Sequence, residues 1–275
     1  MVKSLDGSEF EAFEPGYFDN FLDDRDHLHT LLRNVDWEAQ LLAVRQMISR
    51  NRKAGEAFSA SIKDDAAELD AYNGPHRHHW ENRHVDMKFE SSYSDAAESM
   101  AAIGMIAPMV ESTIGQALTA LGDMYDSKSI HPGSHKRWKR AEGHKHRWNC
   151  QFYFDSKMEA HNDIFRGLPQ LSSACGLDKF LSQDFKTWFE AMFRYRNYMF
   201  HGGFEWSLER RDNFEKEIEK NGWGKFFTSS TTNSRPWIYY IRDEAIVAMP
   251  RMVEHMLDSL GLFTKSLPWE LTSLP

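Results

Sequence analysis

The chain has 275 residues, 41% of them hydrophobic, a formal charge of −8 and two cysteines, Cys150 and Cys175. That length holds a sizeable core in one large domain or two small ones, and the acidic balance argues against indiscriminate polyanion binding over the whole surface. The cysteines lack Cys-x-x-Cys spacing, which argues against a disulfide framework or a thiolate metal site.

No run reaches the roughly 18 consecutive apolar residues of a membrane span. Met1–Asp6 lacks the apolar stretch of a signal peptide, so the expected location is the cytoplasm, with no membrane partner.

In chain order, the pattern predicts helices almost throughout. Tyr17–Arg33 carries Phe18, Phe21, Leu22, Leu28, Leu31 and Leu32 among acids. Asn34 or Asp36 is placed to cap a second helix through Trp37, Leu41, Leu42, Val44, Met47 and Ile48, running past Gly55 to about Ala71. Asn73-Gly74-Pro75 stops it. Ser94-Asp95 is expected to open a long apolar helix to about Tyr125, its small residues (Gly104, Ala107, Gly115) allowing close approach of neighbours. A polar loop, 127–148, comes next, followed by a helix over Tyr153–Phe165.

A further helix spans about Asp178 to His201, and another Ser207–Lys220. Trp237–Ile241 is the best strand candidate, paired with Phe226–Thr228 as one small hairpin, and Asp243 caps a final helix containing Pro250. The expected architecture is an all-α bundle with this hairpin, divided into an N-terminal helical region, 1–92, and a bundle, 93–275.

The most informative stretch is Arg196-Asn197-Tyr198-Met199-Phe200-His201-Gly202-Gly203. At roughly 100° per residue, Phe185, Trp188, Phe189, Met192, Phe193, Met199 and Phe200 form one stripe, with Arg196 in its middle. A guanidinium is almost never buried unpaired, so Arg196 needs a partner, an acid such as Asp184 or Glu190, or a ligand. Asn197 and His201 share a face, which lets the amide orient the imidazole. Arg196 and His201 lie roughly 140° apart, so they meet at one small group only if the helix end deforms or a second copy completes the site. Gly202-Gly203 stops the helix.

Arg-Asn-x-x-x-His-Gly at the end of an aromatic-rich helix resembles the HEPN superfamily, whose signature is Arg, four to six residues, then His. The resemblance covers about residues 95–262 and implies a helical bundle, usually homodimeric. Many members are metal-independent endoribonucleases of toxin–antitoxin, anti-phage and RNA-processing systems, and others are inactive and bind nucleotides or partners. It implies catalytic roles for Arg196, Asn197 and His201, RNA as substrate, no cofactor, and an antitoxin or defence-system protein as a further partner.

The chemistry fits the residue types. Cleavage by RNA's own 2′-hydroxyl needs a base, and histidine titrates near neutrality. It also needs a cation at the phosphate, and a forked guanidinium suits two non-bridging oxygens. The products would be 2′,3′-cyclic phosphate and 5′-hydroxyl ends, and DNA would be inert.

Within 127–148, Lys136, Arg137, Trp138, Lys139, Arg140, Arg147 and Trp148 interleave cations with indoles, the pattern of phosphate neutralisation plus base stacking. A solvated loop explains the same residues equally well. His76, His78, His79 and His84 lack acids or Cys at ligand spacing, and no metal is assigned to them. Two other functions stay open: a silent HEPN-like module that binds nucleotide, RNA or protein, and a helical scaffold of a defence complex.

Overall fold

The computed structural model describes residues 22–33 and 35–272. The helical class is borne out there: nine α-helices and two two-stranded antiparallel sheets account for the regular structure among the described residues. Phe18 and Phe21, expected on the first helix, and Asn34, a candidate cap, lie outside the described residues.

The first described helix, α1, spans Asp24–Leu28, opened by Asp23 in a capping box with Asp26. Asp36 caps α2, Trp37–Ala71, accepting the Ala39 N–H at 2.9 Å. The third helix, α3, runs Arg77–Ser127 and so starts well before Ser94. The reason is local: after Gly74-Pro75 no helix breaker intervenes, and Arg77 and Glu81 pair one turn apart at 3.1 Å. This helix runs unbroken through position 92, and Pro108 is tolerated on its exposed side. By length and composition α3 is apolar enough to cross a membrane, and 56% of that window is buried within the fold, as in a core helix.

The basic loop contains a short helix, α4, Lys136–Arg140. The helix expected over 153–165 is a correction. Phe152–Phe154 (β1) pairs with Ala160–Asn162 (β2), Tyr153 opposite His161, and the next helix, α5, begins at Ile164. Asp163 caps α5 through the Arg166 N–H, so the helix start falls where the capping side chain sits. Gly176, at φ +87°, ends α5 at Cys175, and a 3-10 turn precedes α6, Gln183–Gly202. Next come α7, Leu208–Asn221, capped by Ser207, then β3, Phe227–Thr232, and β4, Arg235–Ile241. Asn233 and Ser234, at φ +50° and +60°, make the two-residue turn whose twist suits a hairpin. Helix α8, Asp243–Lys265, and α9, Trp269–Thr272, end the described chain.

The described residues divide into two compact units: 22–33, 35, 113–182 and 255–272 form unit 1, and 36–112 and 183–254 form unit 2. Unit 1 is built around Ile114, Leu118, Leu121, Phe154, Leu171 and Leu260, all at most 1% exposed. Gly122 makes room for Trp148, since a Cβ there would stand 2.5 Å from the indole. Unit 2 buries Trp188, Phe193, Tyr195, Met199 and Phe214 as well as Ile103, Ile106 and Ile238, and the Tyr195 hydroxyl donates to the Tyr239 carbonyl at 3.0 Å. From Ser49 to Asp95, by contrast, Asp65 is the single buried residue, held by Arg83 and His84 at 3.1 and 3.0 Å.

Candidate functional site

Helix α6 forms because Phe185, Trp188, Phe189, Met192, Phe193 and Met199 repeat at helical spacing and are buried. Phe200, expected on the same stripe, is 53% exposed; its ring lies over Gly104 of α3, where a Cβ would approach within 3.3 Å. Arg196 sits at the edge of the stripe rather than in its interior. Its side chain is 24% exposed, with the guanidinium carbon 5.1 Å from the Phe193 ring centre.

The partner of Arg196 is an acid that no local spacing points to. Arg196 Nη1 donates to Glu111 Oε2 at 2.7 Å, from α3, eighty-five positions away, whereas Asp184 and Glu190 were the expected candidates. Arg196 Nη2 donates to the neighbouring Asn197 Oδ1 at 3.4 Å. Asn197 thus turns toward the arginine, and the expected hydrogen bond to His201 is absent. A guanidinium carries five N–H donors, and these two bonds leave three for an incoming phosphate.

His201 lies in the last turn of α6 and is exposed. The chain turns away because Gly203 takes φ +67° and its N–H returns to the Met199 carbonyl at 2.8 Å. Gly202 has a different role. A Cβ there would meet Arg210 Nη1 at 2.6 Å and the Trp206 ring at 3.1 Å, so glycine admits a second guanidinium to the end of the motif helix. Arg210, from α7, was not a sequence candidate, because no spacing rule connects a turn's far side to the helix before it.

The basic segment separates into two sets. Arg137 is 0% exposed, and its five donors all end on protein: the carbonyls of Arg147 (3.2 and 3.0 Å), Asn149 (3.1 Å) and Phe152 (2.8 Å), and Gln170 Oε1 (2.7 Å). Burial lowers its pKa to about 10, still charged at neutral pH. Trp138 and Trp148 are each 7% exposed, 4.6 Å apart between ring centres, and Trp138 Nε1 donates to the Ala174 carbonyl. The expectation that Arg137, Trp138 and Trp148 meet RNA is therefore corrected: they are the core of unit 1. Arg140 is half-buried and donates to the Phe154 carbonyl at 3.4 Å, and Arg147 pairs with Asp126. Lys136 and Lys139 remain exposed.

His84, one of the grouped histidines, is bound to Asp65, and the rings of His78 and His79 lie 3.9 Å apart between centres, tilted by 40°. Cys175 is no nucleophile, since burial pushes its thiol up to about 11.

Comparison of the chain with protein-family models, with curated proteins and with solved structures finds no match.

Proposed function

We propose that the protein is a metal-independent endoribonuclease of HEPN type, with Arg196, Asn197 and His201 as its catalytic set. The observation that supports this most is Arg196 itself. Its side chain keeps partial exposure at the edge of an apolar stripe, bonded to Glu111 and Asn197, with three donors free and an exposed histidine five residues on. In this reading Arg196 stabilises the charge building on the phosphate while His201 removes the 2′-hydroxyl proton. Because the two side chains diverge around the helix, a second copy of the chain completes the cleft. Lys136 and Lys139 are left as phosphate contacts.

The test is incubation of purified protein with mixed RNA in EDTA, followed by end-group analysis. Fragments with 2′,3′-cyclic phosphate and 5′-hydroxyl ends are expected, with DNA untouched. Intact RNA, or 5′-phosphate ends that need a divalent ion, would overturn the reading.

The Glu111 contact favours a second reading, a silent module in which the arginine charge is permanently neutralised. Glu111→Gln separates the two. It keeps a hydrogen-bond acceptor beside Arg196 but removes a charge at contact distance, worth about 1 kcal/mol where solvent still reaches both side chains. For the nuclease, RNA affinity measured by filter binding rises about 5-fold, with the melting temperature nearly unchanged. For the silent module, no cleavage of RNA follows, whatever the affinity.

A further inference from the structure

The β1–β2 hairpin assembles three side chains that a helical reading of the same residues keeps apart. On a helix Asp155 and Glu159 share a face, whereas His161 turns roughly 200° from Glu159. In the hairpin, Asp155 follows β1, Glu159 closes the loop, and His161 lies in β2 opposite Tyr153. Asp155 Oδ2 stands 3.2 Å from His161 Nε2, and Glu159 Oε2 stands 4.0 Å from the same nitrogen. One donor atom from each of the three residues lies within 4.8 Å of the other two, and this is the one such group of three among the described residues.

The arrangement is fixed on one side and adjustable on the other. Asp155 Oδ1 accepts the backbone N–H groups of Lys157 (2.8 Å) and Glu159 (3.0 Å), which leaves Oδ2 turned toward the histidine. The His161 ring also packs near Tyr153, at 6.4 Å between centres. Glu159 is 65% exposed at its side chain and is free to swing inward.

We propose that Asp155, Glu159 and His161 bind one divalent transition-metal ion, Zn²⁺, on the outer face of this hairpin. Two carboxylates and an imidazole are a zinc donor set. The nitrogen donor disfavours Mg²⁺ and Ca²⁺, which take oxygen ligands. Metal–donor distances of roughly 2.0–2.1 Å in a tetrahedron put the donors about 3.3 Å apart. The Asp155–His161 separation already meets that, and a rotation of the exposed Glu159 supplies the third ligand. The bound ion would tie β2 to the loop.

The site is independent of the ribonuclease reading, since cleavage in EDTA proceeds without it. The experiment is calorimetric titration of the full chain with Zn²⁺ alone, repeated on His161→Ala, Glu159→Gln and, as a control for the other histidine group, His78→Ala. The wild type is expected to take up one ion at this site. Outer-shell changes already cost metal sites roughly 10-fold in affinity, so loss of His161 as a direct ligand should cost at least that. Glu159→Gln, a surface change that leaves the hairpin's backbone hydrogen bonds in place, should also weaken binding. His78→Ala should leave this binding event intact. Absence of zinc uptake by the wild type, or uptake equally tight in His161→Ala and Glu159→Gln, overturns the proposal.

Discussion

In the proposed ribonuclease, RNA cleavage is expected to fall by at least roughly 100-fold in Arg196→Ala and in His201→Ala, because loss of a transition-state clamp or of a general base each costs about that much or more. The double variant falls little further than either single one, since groups that act together in one transition state do not contribute additively. The fold survives all three changes. His201 is exposed, and Arg196 is only partly buried, so water replaces the lost side chains without leaving a cavity. Glu111, relieved of its partner, is itself 22% exposed at its side chain and can be hydrated.

The measurement is the single-turnover rate on a labelled RNA, with the melting temperature as a check on folding. A composite cleft adds a second expectation. Mixing the two inactive single variants restores part of the activity, because a mixed dimer brings one intact Arg196 to one intact His201. Wild-type cleavage by the double variant would end the nuclease reading, and failure of the mixture to recover would end the composite cleft.

Arg137→Met destabilises the protein by roughly 3–5 kcal/mol, the usual cost of breaking a buried polar assembly by removing one partner. Methionine fills much of the same volume, so packing is largely retained. The loss comes from the carbonyls of Arg147, Asn149 and Phe152, which give up their donor inside unit 1. Lysine is a poor rescue, because one ammonium cannot span the positions that a planar fork reaches together. At about 2–4 °C per kcal/mol for a chain of this size class, the transition moves down by roughly 10 °C. Thermal denaturation followed by circular dichroism checks it. A surface RNA contact would give the opposite pattern, weaker RNA binding at an unchanged melting temperature.

Arg137 also marks the limit of what the sequence can say. Alternation of cations and indoles is the same string whether the residues face RNA or each other, and only the carbonyls of a loop folded around Arg137 decide between them. The helical class and the spans of α2, α7 and α8 were legible, because the periodicity of α6 and α8 is strong and Asp36 and Ser207 stand at the helix starts. The β1–β2 hairpin was not, since Tyr153–Phe165 has apolar residues compatible with either period and no Asn-Gly or Gly-Gly turn signal.

Within the candidate site, Arg196 was found by a local argument, that a charge on an apolar stripe needs a partner. Glu111 and Arg210 were beyond reach, because their proximity to α6 depends on how α3 and α7 pack and not on any spacing along the chain. The Asp155, Glu159 and His161 group was hidden for the same reason, its members sharing a side only once the strands pair.

The long stretch from Ser49 to Asp95, in which a carboxylate is the single buried residue, means that one helix holds two regimes of order. The apolar part of α3 is protected by the core around it, and its amides open only when that core does. Its first turns, like the far end of α2, rest on helix propensity, a few ring contacts and the Asp65 ion pairs, so they open in small local excursions well below the global unfolding free energy. A continuous ribbon of backbone hydrogen bonds is therefore not a rigid rod here. Amide exchange should grade along α3 from rapid at Arg77 to slow around Ile106, and a protease entering this protein without unfolding it would enter there.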